Sequence, residues 1–115
     1  MATKRQVEGK LRALIQRLDK ADEGVDALSK ALPERRIVEV VVPDLDASYW
    51  TELSGGRMGQ LRKGPAKGAD IRLTANSDEL IQVVNGERSL FSSYVGGKVK
   101  VEASFADLLR LRKLA

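Results

Sequence analysis

The stretch from Ala69 to Ala115 constrains the fold more than any other part of this chain. Apolar and polar residues alternate over 70–75 and again over 98–103, as they do in strands with one solvated face. Between these runs, apolar residues recur at helical spacing over 77–86 and 89–95, and a leucine-rich helix follows the second run. Three helical pieces therefore surround two strands, and their apolar faces need a common place to pack.

Local signals mark the ends of these helices. Asn76 or Ser77 is suited to cap the first of them, and Glu79 stands at a capping-box-like spacing from Asn76. Gly86 permits the left-handed conformation that ends a helix. The last helix is expected to begin after Ser104, which is a favourable cap.

The first half of the chain predicts helices followed by strands. Apolar residues at a 3.6-residue period predict an amphipathic helix over residues 4–18. A weaker helical segment covers Val25 to Leu32 and ends before Pro33, since proline disfavours helix in the residue that precedes it. We expect the first helix to pack on a sheet.

Three strands are predicted next. Residues 36–42 are rich in β-branched residues and apolar on both faces, which indicates a central strand. Residues 48–53 and 57–62 flank a Gly55-Gly56 turn and complete an antiparallel meander. The strand at 98–103 arrives after a helical crossover, which favours a parallel pairing. The predicted fold is α+β, with a five-stranded, mostly antiparallel sheet and helices packed on one face.

Composition restricts the chemistry. At 115 residues the chain is expected to form a single domain spanning residues 1–115. It contains no Cys and no His, which removes thiolate chemistry, imidazole acid–base catalysis and the usual zinc sites. We therefore expect no cofactor, no metal site and no enzymatic activity. No apolar run approaches the roughly 20 residues needed to span a bilayer, and no signal-peptide core is present, so we expect a cytoplasmic protein.

The positive charge is unevenly distributed. The net charge of +4 arises entirely after residue 57, because residues 1–57 carry ten basic and ten acidic side chains. A stretch without acids contains Arg57, Arg62, Lys63 and Lys67, which form a candidate patch for an anionic surface. It lacks the interleaved aromatic residues that stack nucleic-acid bases, so a lipid headgroup suits it better than RNA. A solvated loop that serves solubility alone is the alternative.

The second half also resembles a known family. The helix-to-glycine step over Ser77–Gly86 and the Tyr-x-Gly-Gly-Lys-Val-Lys-Val step over Tyr94–Val101 look like the sterol carrier protein 2 family of lipid-transfer domains. The resemblance implies a five-stranded sheet with helices on one face and an apolar tunnel between them. It further implies a sterol, fatty acid or acyl-CoA as ligand, and no catalytic residues.

The resemblance directs attention to the apolar faces that would line such a tunnel. The candidate lining residues are Val40, Trp50, Leu80, Val84, Phe91, Tyr94, Val95, Leu108 and Leu111. The hydroxyls of Tyr94, Ser92 or Ser93 are candidates to hold the ligand's polar end.

Other readings of the same residues stay open. The nine lining residues could equally form a filled core, since void volume cannot be read from a sequence. The chain could instead be a small interaction module that binds an anionic membrane surface or a protein partner through its basic loop. A homodimer through the edge strand 57–62 is a further option.

Overall fold

The structure, a computed structural model, describes residues 2–20 and 34–112. The helical segment predicted at Val25–Leu32 therefore lies outside the described residues. The elements in chain order are α1 (Lys4–Lys20), β1 (Arg36–Val42), β2 (Ala47–Ser54), β3 (Arg57–Met58), β4 (Arg62–Lys63), β5 (Ile71–Ala75), α2 (Ser77–Val84), α3 (Leu90–Val95), β6 (Val99–Glu102) and α4 (Phe105–Arg112). A single 3-10 turn joins β1 to β2.

All the described strands belong to one sheet of order β3-β2-β1-β5-β6, in which β4 also pairs with β2. The predicted meander is confirmed, because β2 is antiparallel to β1, β3 and β4. The strand predicted at 57–62 is split into two pieces of two residues each. Glycines at positions 55 and 56 both have positive φ, as the predicted hairpin turn requires.

The predicted parallel pairing of the last strand is wrong. Strand β6 is antiparallel to β5, and the parallel pair is β1 with β5. The reason is that two helices, α2 and α3, follow β5 in succession. They return the chain to the end of the sheet from which it left, so that Val99 pairs with Ala75. A single crossover helix would have delivered it to the opposite end.

The two faces of the sheet differ in cover. Alternate residues of β1 (Val38, Val40 and Val42) point to the helices, and this helix face holds the core. On α1, Val7 and Leu11 of the predicted apolar stripe are buried against it. The opposite face, here called the far face, is partly covered by the loop that follows β4.

Glu39 fixes that loop to the far face. Its carboxylate accepts hydrogen bonds from Arg72 Nε at 2.6 Å and from the backbone N–H of Ala66 at 2.9 Å. With only 2% of its surface exposed, Glu39 is a buried charge that is both paired and hydrogen-bonded. The sequence prediction of a central strand with some cover on each side is confirmed.

The N-cap position predicted for α2 is confirmed, but the predicted side-chain cap is wrong. Asn76 occupies the N-cap position but makes no side-chain hydrogen bond to the helix. Instead Asp44, from the turn after β1, accepts the Ser77 backbone N–H at 2.9 Å and the Ser77 hydroxyl at 2.6 Å. Glu79 accepts the Ser93 hydroxyl at 2.8 Å, which ties α2 to α3. The carboxylate that accepts the Ser77 N–H thus comes from a distant turn, and it adds to Asp78 and Glu79 in the first turn of α2 itself.

Candidate functional site

An apolar cavity of about 160 Å³ lies between α1, α2, α3 and the helix face of the sheet. We call it the helix–sheet cavity. Its walls come from all three helices and from the strands facing them, so it forms only when the whole fold has assembled. The lining residues are Leu11, Leu14, Ile15, Val38, Val40, Tyr49, Trp50, Thr51, Met58, Leu61, Leu73, Ala75, Leu80, Val83, Val84, Leu90 and Val99.

The structure brings part of the predicted lining set to this cavity. Val40, Trp50, Leu80 and Val84 are among its lining residues. Tyr94 and Val95 do not, since they are 44% and 69% exposed. Among the remaining predicted residues, Leu108 is not part of the wall, and the side chains of Phe91 and Leu111 lie outside the described structure. Whether the residues at the wall bind a ligand stays a prediction.

Trp50 borders the cavity, but its ring belongs to the far face. It alternates with the buried neighbours Tyr49 and Thr51, which face the helices. The guanidinium carbon of Arg62 lies 5.5 Å from the centre of the Trp50 ring, at the distance of a cation–π contact. The partner of Trp50 in the β1–β2 ladder is Glu39, which is also on the far face.

Tyr49 is one of the thirteen wall residues that the predicted lining set did not include. It pairs with Val40 across the β1–β2 ladder, so the two share a face. The alternation of Tyr49 with Trp50 is visible in the sequence, but choosing between them requires the register of the two strands. That register depends on the length of the intervening turn, which the sequence does not fix.

The proposed hydroxyl anchors lie away from the cavity. Ser93 is 1% exposed and its hydroxyl donates to Glu79 at 2.8 Å. Ser92 and Tyr94 are exposed on the outer side of α3. A polar end for this cavity must therefore be sought elsewhere.

The basic patch is divided between the two faces of the sheet. Arg57, Arg62 and Lys67 line an open groove of about 990 Å³ on the far face, whose floor includes Trp50. Lys63 points to the helix side, where its Nζ lies 3.0 Å from Oε1 of Glu8. Successive side chains of a strand point in opposite directions, so Arg62 and Lys63 cannot share a surface.

A second concavity, of about 580 Å³, adjoins the cavity where the start of α1 meets the β1–β2 corner. We call it the corner cleft. It is lined by residues of both signs, including Lys4 and Glu8 from α1 and Lys63 from β4. Tyr49 lines both the corner cleft and the helix–sheet cavity. Its burial and the nearby Glu8 carboxylate raise the pKa of Tyr49, while the Arg12 charge acts in the opposite direction.

Comparison with known families identifies the chain. Residues 11–115 match the model of the SCP-2 sterol transfer family, which covers all of the cavity's elements except the first turns of α1. The chain belongs to the SCP-2 sterol transfer family. A search of curated proteins finds no match to this sequence.

Solved structures agree with membership of the SCP-2 family. Sterol carrier protein 2 is 16% identical and superposes with a TM-score of 0.68, over 92% of this chain and 90% of that one. Sterol carrier protein 2 like 2 from Aedes aegypti is 12% identical, with a TM-score of 0.67 over 95% of each chain. At these identities the likeness shows the fold alone.

The same fold occurs within a larger protein. The stereoselective inverting sec-alkylsulfatase Pisa1 from Pseudomonas sp. is 22% identical, with a TM-score of 0.56 over 70% of this chain. This SCP-2 family chain spans only 13% of the length of that enzyme. Among the described helices, none has the length and apolar character needed to cross a membrane.

Proposed function

We propose that this protein binds and carries an apolar ligand in the helix–sheet cavity without transforming it chemically. The ligand is a lipid-like molecule such as a fatty acid, an acyl-CoA or a sterol. The supporting observation is the cavity itself, whose wall exposes only apolar atoms although Thr51 is one of its residues. Thr51 donates its hydroxyl to the Gly59 carbonyl at 2.9 Å, so its polar group is already satisfied.

An empty space of this size is unfavourable for the protein. Voids in protein cores cost about 24 cal/mol per Å³, which for 160 Å³ amounts to roughly 4 kcal/mol. That is a substantial fraction of the stability of a typical domain. A ligand that fills the space restores the lost contacts and buries its own apolar surface, at about 25 cal/mol per Å².

The cavity must enlarge to hold a lipid. Cavities of about 150 Å³ accept a molecule the size of benzene, whereas pockets for larger ligands are typically about 300–1,000 Å³. Helix α3 is the wall best suited to move, because it has only six residues and a helix of that length is not stable alone. Its residue Leu90 lines the cavity, while Tyr94 and Val95 at its other end face solvent.

Ligand carriage is tested by native mass spectrometry after gentle purification and by thermal melting with added oleyl lipids. A ligand at 100 times its Kd stabilises the folded state by about 2.7 kcal/mol, which raises the melting temperature by roughly 10 °C. The Val84→Phe variant fills the cavity from α2 and should abolish this rise. The matched Val95→Phe variant makes the same change on the exposed side of α3 and should keep it.

The two variants also distinguish the cavity in the structure, which Val84 lines and Val95 does not, from the lining set predicted from the sequence, which included both residues. Loss of the rise in Val95→Phe with its retention in Val84→Phe would place the ligand elsewhere. If lipid neither co-purifies with the unaltered protein nor shifts its melting, the carrier function is refuted. Should Val84→Phe fail to fold, Val83→Phe, at an adjacent wall position, replaces it.

A second candidate function is favoured by the far-face groove. The groove is lined by four cations (Arg35, Arg57, Arg62 and Lys67), two carboxylates (Glu52 and Asp70) and the amphipathic ring of Trp50. Its excess of positive charge suits an anionic membrane surface. Such contact is compatible with lipid carriage, since a carrier must exchange its ligand with a membrane. If the core were fully packed and the chain were an interaction module, it would bind either the membrane surface or a protein partner through this groove.

Two finer proposals follow from the notion of a carrier. The chain acts beside an enzyme that uses the ligand, in keeping with the occurrence of the fold within a sec-alkylsulfatase chain.

Dimerisation through the β3–β4 edge is the weaker of the two, because each strand has only two residues to offer a partner. Sedimentation velocity at several protein concentrations tests it.

A further inference from the structure

Strand β6 ends the sheet with an edge that no described strand covers. It is the last member of the order β3-β2-β1-β5-β6, and its four residues form a ladder with β5 on one side only. Alternate backbone N–H and C=O groups of such a strand point outward and can pair with another strand. The edge at the other end of the sheet is divided between β3 and β4, which have two residues each. Within the described sheet, β6 is therefore the longer continuous edge.

The large apolar side chains that are exposed in the described part of the chain lie next to this edge in sequence. Tyr94 and Val95, at the end of α3, precede β6 by only a few residues. Phe105 and Leu109, in α4, follow β6 and are 78% and 46% exposed. Exposed apolar groups that occur together in this way mark an interaction surface. Both ends of β6 thus carry apolar surface that a partner beside the edge can cover.

The charges of β6 favour a second copy of the chain as that partner. Lys100 and Glu102 share the far face with Arg72, which pairs with Glu102 in the β5–β6 ladder. A two-fold axis perpendicular to the sheet joins two β6 strands antiparallel and keeps their faces aligned. With Val101 on that axis, Lys100 lies opposite Glu102 of the second copy, and the symmetry makes this pair occur twice.

Neighbouring registers of the same pairing are unfavourable. Keeping the faces aligned requires slips of two residues, which move the axis by one residue along each strand. An axis at Lys100 places two ammonium groups opposite each other, and an axis at Glu102 does the same with two carboxylates. Like charges directly opposite in a ladder are destabilising. Within one chain Lys100 Nζ lies 2.9 Å from Glu102 Oε1, and the two side chains are 71% and 41% exposed, so both are accessible to a second copy.

We propose that two copies of this chain associate through β6, with Val101 on the two-fold axis. The antiparallel pairing brings the end of α3 in one copy to the start of α4 in the other, since these helices flank opposite ends of the strand. The exposed side chains of α3 then lie against those of α4 from the second copy, which removes both apolar surfaces from water. This assignment concerns an interface between copies, and it does not depend on what the helix–sheet cavity binds.

Sedimentation velocity of the whole protein over a range of concentrations measures the association. Lys100→Glu places like charges opposite each other at both pairs and should weaken dimerisation about tenfold, as should Glu102→Lys. When the two variants are mixed, both ion pairs return, because each carboxylate of one variant faces a cation of the other. Native mass spectrometry of the mixture should therefore show heterodimers beyond their statistical proportion.

Two controls make the same charge changes at positions away from β6. Lys10→Glu in α1 and Glu87→Lys after α2 alter exposed residues and should leave the dissociation constant unchanged. Phe105→Ser tests the apolar part of the interface and should also weaken dimerisation about tenfold, because less apolar area leaves water in both copies. Thermal unfolding establishes that each variant is folded.

Several results would overturn the proposal. One is a protein that remains monomeric at every concentration. Another is a dimer that neither charge variant nor Phe105→Ser weakens, since its interface would lie elsewhere, for example at the β3–β4 edge. A mixture in which heterodimers only reach their statistical proportion overturns the register. If Glu102→Lys does not fold once its contact with Arg72 is lost, an unweakened dimer in Lys100→Glu overturns the assignment by itself.

Discussion

At the scale of single residues, the pair of Arg36 and Asp107 links β1 to α4. Arg36 Nε donates to Asp107 Oδ2 at 2.9 Å and Nη2 to Oδ1 at 3.2 Å, which is a bidentate contact. The Asp107 backbone N–H donates to the Ser104 hydroxyl at 3.1 Å, which confirms the cap predicted for α4. One carboxylate thus anchors the last helix to the first strand.

The Arg36 hydrogen bond lowers the pKa of Asp107 below that of an ordinary aspartate, and the charge of Arg36 adds to this effect. A carboxylate with a lowered folded-state pKa stabilises the protein above its unfolded pKa of about 4, and this contribution disappears as pH falls through the folded value. The Asp107→Asn variant should therefore lose about 2 kcal/mol at pH 7 and show a shallower acid-induced decline.

Urea unfolding at pH 7 and at several pH values below 4 measures both effects. Asp46→Asn is the control, because Asp46 is exposed and Asn tolerates its positive φ of 48°. An Asp107→Asn variant as stable as the protein itself at pH 7 would show that this pair does not stabilise the fold.

At the scale of elements, Gly86 and Gly97 end α2 and α3 in the same way. After α3, the Gly97 N–H donates to the Tyr94 carbonyl at 3.1 Å and the Lys98 N–H to the Ser93 carbonyl at 2.8 Å. These two bonds form a Schellman motif, with Gly97 at a φ of 76°. The motif allows α3 to stop within six residues and lead directly into β6.

The same substitution should have opposite effects at two glycines. Gly97→Ala imposes a left-handed conformation on alanine and should cost about 1–2 kcal/mol. Gly9 lies within α1, where an added methyl meets nothing within 4 Å, so Gly9→Ala should add about 1 kcal/mol through helix propensity. Thermal and urea unfolding measure both changes. A stabilising Gly97→Ala would contradict the motif's role.

Elements were predictable where their signals are local. Three predicted features that depend on residues within about one helical turn are confirmed. They are the burial of Val7 and Leu11 on one side of α1, the end of α2 at Gly86 and the cap of α4 at Ser104. The cap of α2 was not predictable, since Asp44 lies 33 residues from Ser77 along the chain.

The cavity wall was predictable only in part, for the same reason. Tyr94 and Val95 have the helical spacing of core residues, but α3 is too short to bury all of its apolar side chains. Helical spacing predicts which residues share a face, whereas tertiary packing decides whether that face is covered.

At the scale of the whole molecule, the sheet separates two environments. The helix face carries the apolar cavity, and the far face carries the groove lined by Arg57, Arg62 and Lys67. A membrane surface that engaged the far face would leave the helices free to move. Ligand exchange and membrane attachment would then use opposite sides of one sheet.

Binding to vesicles of mixed phosphatidylcholine and phosphatidylglycerol tests this arrangement. Changing Arg57, Arg62 and Lys67 together to Gln should weaken sedimentation with vesicles about 100-fold, at roughly 1 kcal/mol for each cation. Binding by the unaltered protein should also weaken in 1 M salt, where the Debye length falls to about 3 Å.

The matched control changes three exposed cations of α1, Lys4, Lys10 and Arg12, to Gln. It has the same net charge as the far-face variant and should keep most of the vesicle binding. Loss of binding in the control alone would assign the membrane contact to α1. Binding that is indifferent to anionic lipid would exclude the electrostatic contact.

Because Arg62 and Lys63 lie on opposite faces of the sheet, it matters whether the number of residues between β3 and β4 is odd or even. Three residues, 59–61, separate β3 from β4, and side chains in strands repeat every two residues. Removing one residue would exchange the two cations, turning Lys63 away from Glu8 and bringing Arg62 beneath α1. Removing two would preserve both directions. Relatives with shorter connections should therefore differ by even numbers of residues wherever a cation opposes an acidic residue on the first helix.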